Sequence, residues 1–403
     1  MLDPIWAVNR PRLPVMRLRR TPKVPPSTAP SRPADINEQV LAAAAALPQN
    51  PRLVVFESMA GRQYSDSPRA ISEALQRLDA DVTPLWSVRR GAVGVPDGVA
   101  TVTRRTPEWI AAMATARLWV DNQGFARWLV KPERVHYLQT WHGTPLKKMG
   151  WNDPNLTDVD ARTAAELQAS YDRWDAVTVP SEYFVETIVD AFRSHADVLR
   201  LGMPRNDVLA RALAPDERTH RRAALSLDQE RQVVLFAPTR TADPEVSIGR
   251  WRSAELLARS DREVLFRGHY SDDAVEATKS PVKDVSGVAD MADLLAVADV
   301  LVTDYSSSMF DFALTDRPIL LFQPDQAAYL RARGTYFDIR EFPPGPIATT
   351  DLELAALLDS VDEWAAEWSG RRAEYRDRFG TYETGDAADR VVTEYLLPLL
   401  AAT

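Results

Sequence analysis

Cysteine is absent from the 403 residues, which excludes disulfide frameworks, cysteine-ligated zinc, iron–sulfur clusters and thiol catalysis. Histidine occurs five times and lysine six, against 42 arginines, an excess that reads as GC-rich codon usage. No run of about 18 apolar residues is present, so no membrane-spanning helix is expected. The opening MLDPIWAVNRPRLPVMRLRR is broken by Pro4, Pro11 and Pro14 and has no apolar h-region, so it does not read as a secretory signal. Walker loops, HExxH, EF-hand loops, metal-spaced Asp/His clusters and Gly-x-Ser-x-Gly elbows are all missing; no metal and no cofactor is expected. The formal charge of −9 argues against a nucleic-acid partner.

What is present is ordinary globular material, 45% hydrophobic and 26% charged, with length for two or three domains at roughly 150 residues each. Residues 1–35 carry seven Arg/Lys and two Asp, interleaved with Leu2, Ile5, Trp6, Val8, Leu13 and Met16. This basic, Pro-rich tail suits an anionic membrane surface, and equally suits a solvated tail with no partner. Residues 21–35 read as a Pro/Ser linker, so folded structure is expected from about Ile36.

Beyond the linker, apolar strands alternate with helical patterns. Expected strands are Leu53–Phe56, Thr83–Val88, Leu118–Asp121, Val135–Gln139 and Ala176–Val179. Expected helices are one capped by Ser67-Pro68 and running to Leu78, then Pro107–Ala116, Ala161–Trp174 and Glu182–Phe192. The pattern restarts after Leu201–Asp207 with strands Val233–Phe236, Val264–Phe266, Val300–Thr303 and Ile319–Phe322, and Ala387–Leu400 closes it as an amphipathic helix. Such alternation predicts an α/β protein: two Rossmann-like, doubly wound parallel-sheet domains facing a cleft, hinged near 202–212. The expected division is tail 1–35, first domain 36–205, second domain 206–385 and C-terminal helix 386–403. Ligands in such sheets bind beyond the carboxyl ends of strands, so residues that directly follow strands carry most weight.

Four strand ends stand out. In YLQTWHGTPLKK (Tyr137–Lys148), His142 follows a strand, Gly143 permits a tight backbone, and Thr144-Pro145 is expected to open a helix whose free N–H groups favour an anion. His142 is the candidate general base, with Gly143, Thr144 and Lys147 as substrate contacts and Lys148 beside them. In VLFRGHY, Arg267 can hold a phosphate and His269 can stabilise its charge. In DVLVTDYSSS, Asp304 ends a strand and Ser306, Ser307 and Ser308 start a helix; phosphate seat and plain N-capping are both open. In LFAPTRT, Thr239 and Arg240 are either phosphate or nucleotide contacts or a surface loop. Asp290 reads as a helix cap, as does Ser67, while Gly61, Arg62 and Gln63 are candidates for acceptor recognition.

QTWHGTPLK, GMPRND, LFAPTR, the R-x-H of RGH and LVTDYSSSMFDFALTDRPILLF together resemble the CDP-glycerol glycerophosphotransferase family of teichoic-acid primases and polymerases. FESMAGRQYSDSPRA and RARGTYFD (Arg331–Asp338) match further segments, and the resemblance spans about residues 52–340. It implies a GT-B fold and transfer of glycerol phosphate, or ribitol phosphate, from CDP-glycerol or CDP-ribitol to a lipid-linked saccharide or polyol-phosphate acceptor, releasing CMP. It also implies peripheral attachment at the cytoplasmic face of the membrane. Within the resemblance His142 matches the family's catalytic base, His269 its second essential histidine, and Ser306 and Ser307 its phosphate-binding helix start. The sequence departs from the family at Thr239–Thr241 and at Tyr270. An ordinary nucleotide-sugar GT-B glycosyltransferase and a non-catalytic nucleotide- or polymer-binding module are the competing expectations.

Overall fold

Each long strand alternates apolar side chains above and below the chain, and in this protein both sets are buried, which requires a sheet covered on two faces. The structure, a computed structural model, describes residues 33–211, 214–239, 244–268, 280–326, 329 and 334–402. The expected tail therefore lies, up to residue 32, outside the described residues.

The first sheet holds β1 (Asn50–Glu57), β2 (Thr83–Val88), β3 (Thr101–Thr103), β4 (Ala116–Asp121), β5 (His136–Gln139), β6 (Ala176–Thr178) and β7 (Asp197–Leu199). Their order is β3-β2-β1-β4-β5-β6-β7. The second sheet holds β8 (Gln232–Phe236), β9 (Arg262–Phe266), β10 (Lys283–Asp284), β11 (Val300–Thr303), β12 (Ile319–Phe322) and β13 (Ile347–Ala348), in the order β10-β9-β8-β11-β12-β13. All pairings between these strands are parallel. Strand order reverses between β1 and β4 and between β8 and β11, the switch points at which such sheets open a crevice.

On one face of the first sheet Val55, Trp119, Tyr137 and Val177 share a core; on the other Val54, Phe56, Leu118, Val120 and Leu138 do. The second sheet repeats this, with Val233, Leu235, Leu301 and Leu321 opposed to Val234, Phe236, Val302 and Leu320. Burial of each such side chain is worth about 1.5–3 kcal/mol. The helix Pro107–Thr115 starts on a Thr106 hydroxyl that accepts from the Trp109 amide, and it buries Trp109, Ile110 and Met113 against the first sheet. Among the described residues no helix is long and apolar enough to cross a membrane.

Several boundaries differ from those the sequence predicts. The edge strands β3, β7, β10 and β13 are two or three residues long, too short to show a period of two. The helix from Ala161 stops at Tyr171, because Trp174 turns inward to meet Trp141 and Phe192. The helix from Glu182 passes after one turn into a π-turn, Val185–Val189, and ends before Phe192. Ser67 is not a cap: the helix runs Asp66–Arg77, and the Ser67 hydroxyl accepts from the Arg205 amide at 3.3 Å. The first helix, Pro33–Ala46, begins inside the expected linker. At the other end, helical residues 387–401 include a π-turn and return to the first sheet, where Val391, Val392 and Leu396 join the core of Val54 and Phe56.

Gly345 shows how closely the second sheet is built, since a Cβ there would stand 1.8 Å from the Ile319 carbonyl oxygen. Gly345→Ala is expected to destabilise by about 1–3 kcal/mol and lower the melting temperature by roughly 2–10 °C. Differential scanning calorimetry checks this; an unchanged melting temperature contradicts the packing described.

Candidate active site

β5 ends at Gln139, and the chain then leaves the sheet through a turn with Trp141 in the left-handed region at φ 53°. The Trp141 amide donates to Gln139 Oε1 at 2.7 Å, and the buried indole stacks on the His142 ring, centroids 4.7 Å apart. His142 Nδ1 lies 2.6 Å from the Asn122 carbonyl oxygen, just past the end of β4. A carbonyl can only accept, so Nδ1 carries the proton and Nε2 keeps its lone pair. Burial lowers the imidazole pKa from 6.5, with the nearby Arg205 cation adding to this and the Asn122 bond and Asp66 opposing it. His142 is therefore held neutral, in one tautomer, with the unprotonated nitrogen a base requires.

No helix opens at Thr144-Pro145, contrary to the sequence expectation. Residues 140–149 are an irregular loop because their backbone is engaged elsewhere: Tyr183 donates to the Pro145 carbonyl, Tyr336 N to Leu146 O, and Lys148 N to Gly334 O. Thr144 is buried in a crevice with Asn206, Asp311 and Glu383. The Lys147 ammonium sits 5.6 Å from the centroid of the Tyr329 ring, which stacks on Tyr305 at 3.6 Å.

Gly143 brings the two sheets' loops together. Its φ is 137°, and a Cβ there would meet Ser307 Oγ at 2.7 Å. The residue after the histidine thus touches the residue before the helix Ser308–Ala313. Ser306, Ser307 and Ser308 follow β11, with Ser306 and Ser308 hydroxyls 3.0 Å apart. Of the capping the sequence allows, only a long bond is present, Ser308 N donating to Ser306 Oγ at 3.4 Å, while Ser307 at the N-cap position makes none.

Arg205 lies directly behind this junction. Its Nη1 donates to the His142 carbonyl at 2.8 Å and to Asp66 at 3.2 Å, and its Nη2 pairs with Asp311. Burial works against the guanidinium's charge, but Asp311 and Asp66 outweigh it and raise its pKa. Asn206 continues the network by donating to Asp311 and, at 2.7 Å, to Glu383, whose carboxyl burial pushes up to about 8. On the far side Asp290 accepts from the Asp66 amide at 2.7 Å and from Ala292 N, capping its helix as expected, while Arg69 reaches Asp293 at 2.8 Å.

The remaining expected contacts are placed less openly. Asp304 accepts from Thr239 through both amide and hydroxyl and pairs with Arg250 at 2.9 Å, so it ties the ends of β8 and β11 together. Arg267 donates through Nη1 to the carbonyls of Val285, Ser286 and Val288. Arg240 and His269 lie outside the described residues, as do Thr241, Tyr270 and Arg331–Arg333. Sequence reading missed Asn122, Trp141, Arg205 and Asp311. Arg205 stood inside GMPRND, but one arginine among 42 carries no signal of its own.

Parallel sheets that meet at their carboxyl ends across a seam are the architecture of GT-B-like transferases. The chain belongs to the CDP-Glycerol:Poly(glycerophosphate) glycerophosphotransferase family, whose model matches residues 40–396. It is similar to the teichoic acid glycerol-phosphate transferase of Staphylococcus aureus, 33% identical over 359 residues that cover 85% of this chain and 92% of that one. It is also similar to the teichoic acid poly(glycerol phosphate) polymerase of Bacillus spizizenii, 30% identical over 370 residues, 87% of this chain and 93% of the relative. Among solved structures, a histidine-to-asparagine variant of the wall teichoic acid polymerase TagF soaked with CDPG superposes with a TM-score of 0.80 at 29% identity, covering 91% of this chain and 93% of that one.

Arg205→Ala leaves Asp66 and Asp311 buried without their cation, an arrangement that typically costs about 3–5 kcal/mol. Urea unfolding of the variant is the check, and a loss below about 1 kcal/mol would mean that water replaces the guanidinium.

Proposed function

We propose that this protein transfers glycerol phosphate from CDP-glycerol to a hydroxyl of a lipid-linked acceptor and releases CMP. The observation that carries the reading is the His142–Gly143–Ser307 junction: a neutral imidazole in a fixed tautomer next to the hydroxyls that follow β11. An acceptor hydroxyl is a weak nucleophile until its proton is removed, and His142 Nε2 takes that proton as the oxygen attacks the β-phosphorus. The bond between that phosphorus and the bridging oxygen breaks, and its electron pair leaves with CMP. Ser306, Ser307 and Ser308 hold the phosphate, with Gly143, Thr144 and Lys147 on the opposite side of the seam and Thr239, Arg240, Arg267 and Asp304 on the nucleotide side. His269 stabilises the leaving charge in this scheme.

Glycerol is favoured over ribitol because the two relatives described above, matched over 85% and 87% of this chain, are named for glycerol phosphate. The acceptor is lipid-linked, and the protein works peripherally at the cytoplasmic face of the membrane, with the basic residues of the N-terminal tail as its surface contact.

His142→Ala is expected to lower CMP release from CDP-glycerol by at least about 100-fold with the fold intact. Wild-type turnover in the folded variant, or release from CDP-ribitol alone, overturns the assignment of base or of donor respectively. Because the base must be neutral and burial lowers its pKa, kcat/KM should rise with pH along an acid limb below pH 6.5 and be level through neutrality. A limb centred above 6.5 in the pH–rate profile contradicts the buried tautomer.

A further inference from the structure

The loop that carries the base is held from outside. Between His142 and Lys148 its backbone is bonded by Arg205 at the His142 carbonyl, by Tyr183 at the Pro145 carbonyl at 2.8 Å, by Tyr336 N at the Leu146 carbonyl at 2.9 Å, and by the Gly334 carbonyl at the Lys148 amide at 3.2 Å. The last two partners come from the connection between β12 and β13. A segment of the second half thus lies along the first half's loop, with Lys147 and Thr335 in an antiparallel bridge.

The Tyr336 side chain carries this contact further. Its hydroxyl accepts from the Met149 amide at 3.1 Å and from Asn152 Nδ2 at 3.3 Å, and it donates to the Thr187 carbonyl at 3.0 Å. All three partners belong to the first half. Thr187 lies in the π-turn Val185–Val189, a distortion common at functional positions. The Tyr336 ring meets Tyr183 edge-on at 6.3 Å, and Tyr183 is the residue that holds Pro145.

The next residue faces the other way. Phe337 stacks on Phe379 at 5.6 Å and meets Phe310 edge-on at 6.4 Å, and both belong to the core of the second sheet. Phe310 stands in the helix Ser308–Ala313, two residues after Ser308. Two consecutive residues therefore link the loop of the base to the helix that the three serines begin. The transfer chemistry above uses neither side chain.

We propose that Tyr336 is a positioning residue which, with Phe337 behind it, sets the His142 loop at its working distance from the serines. The inference rests on the transferase reading above for the role of His142. Tyr336 touches no reacting atom; it acts through residues 145–149. A displacement of about 1 Å between reacting groups can cost roughly 100-fold in rate, so a tie of this kind acts on kcat before it acts on binding.

Tyr336→Phe removes the three hydroxyl bonds and keeps the ring. It is expected to lower kcat about tenfold or more, to leave the CDP-glycerol KM within about twofold of wild type, and to lower the melting temperature by roughly 2–4 °C. Imidazole NMR of the histidine-labelled protein without substrates reads the base itself, the His142 signal being the one absent from His142→Ala. The wild type should show a single Nδ1–H tautomer. In Tyr336→Phe the loosened loop admits water, so both tautomers should appear and the His142 pKa should rise toward 6.5, with Asn122, Asp66 and Arg205 still facing the ring. Leu354→Ala opens a cavity in the core on the far face of the second sheet; it costs at least as much stability and should leave the His142 signal unchanged. An unchanged His142 tautomer and pKa in folded Tyr336→Phe overturns the proposal. So does an equal shift in Leu354→Ala, which assigns the effect to general stability. The spectra decide even if CDP-glycerol proves not to be the donor, because no transfer is required.

Discussion

A single guanidinium, that of Arg205, sits where the two parallel sheets meet, and the arrangement of the site depends on it. It lies buried between Asp66, which follows the first sheet's β1, and Asp311, in the helix after β11, and it holds the carbonyl of His142. A buried charge is tolerated only when paired, and here the partners come from opposite sides of the seam. Neither half alone satisfies the cation. Bringing Asp66 and Asp311 to it also brings Gly143 against Ser307, so charge pairing and assembly of the reacting groups are one event.

The strand ends around this point are held in conformations that L-residues avoid. Asp66, Trp141, Met59 and Ala60 all have positive φ, and such conformations cost roughly 1–3 kcal/mol each in sparsely populated regions. Dense bonding compensates. The Trp141 amide is fixed by Gln139, the Asp66 amide by Asp290, and the Met59 amide by Asn122. Asn122 serves twice, since its side chain fixes the turn after β1 and its carbonyl sets the tautomer of His142.

Much of the fold is legible from periodicity. Leu53–Phe56, Thr83–Val88 and Val300–Thr303 alternate or run apolar long enough to declare themselves, and their spacing with helices implies parallel sheets. The two-residue strands β10 and β13 carry no such period and exist because a neighbour offers them hydrogen bonds. The expected helix at Thr144-Pro145 fails for a related reason. Local sequence favours a helix start there, but the carbonyls and amides of residues 145–148 find partners in Tyr183 and in residues 334–336, nearly 200 positions away.

At the site itself, His142 and Ser306–Ser308 can be picked from the sequence because they follow strands, and chain polarity alone sends such residues to the carboxyl edge. Family membership, too, is written in motifs that remain collinear over most of the chain. What the sequence cannot express is which of 42 arginines becomes the buried one, or that a backbone carbonyl at Asn122 selects the tautomer of the base. Those properties belong to pairs of groups far apart in the chain and adjacent in space. Sequence determines the strands, their direction and the residues at their ends; tertiary structure decides which ends meet, because only there are the buried charges and backbone groups satisfied.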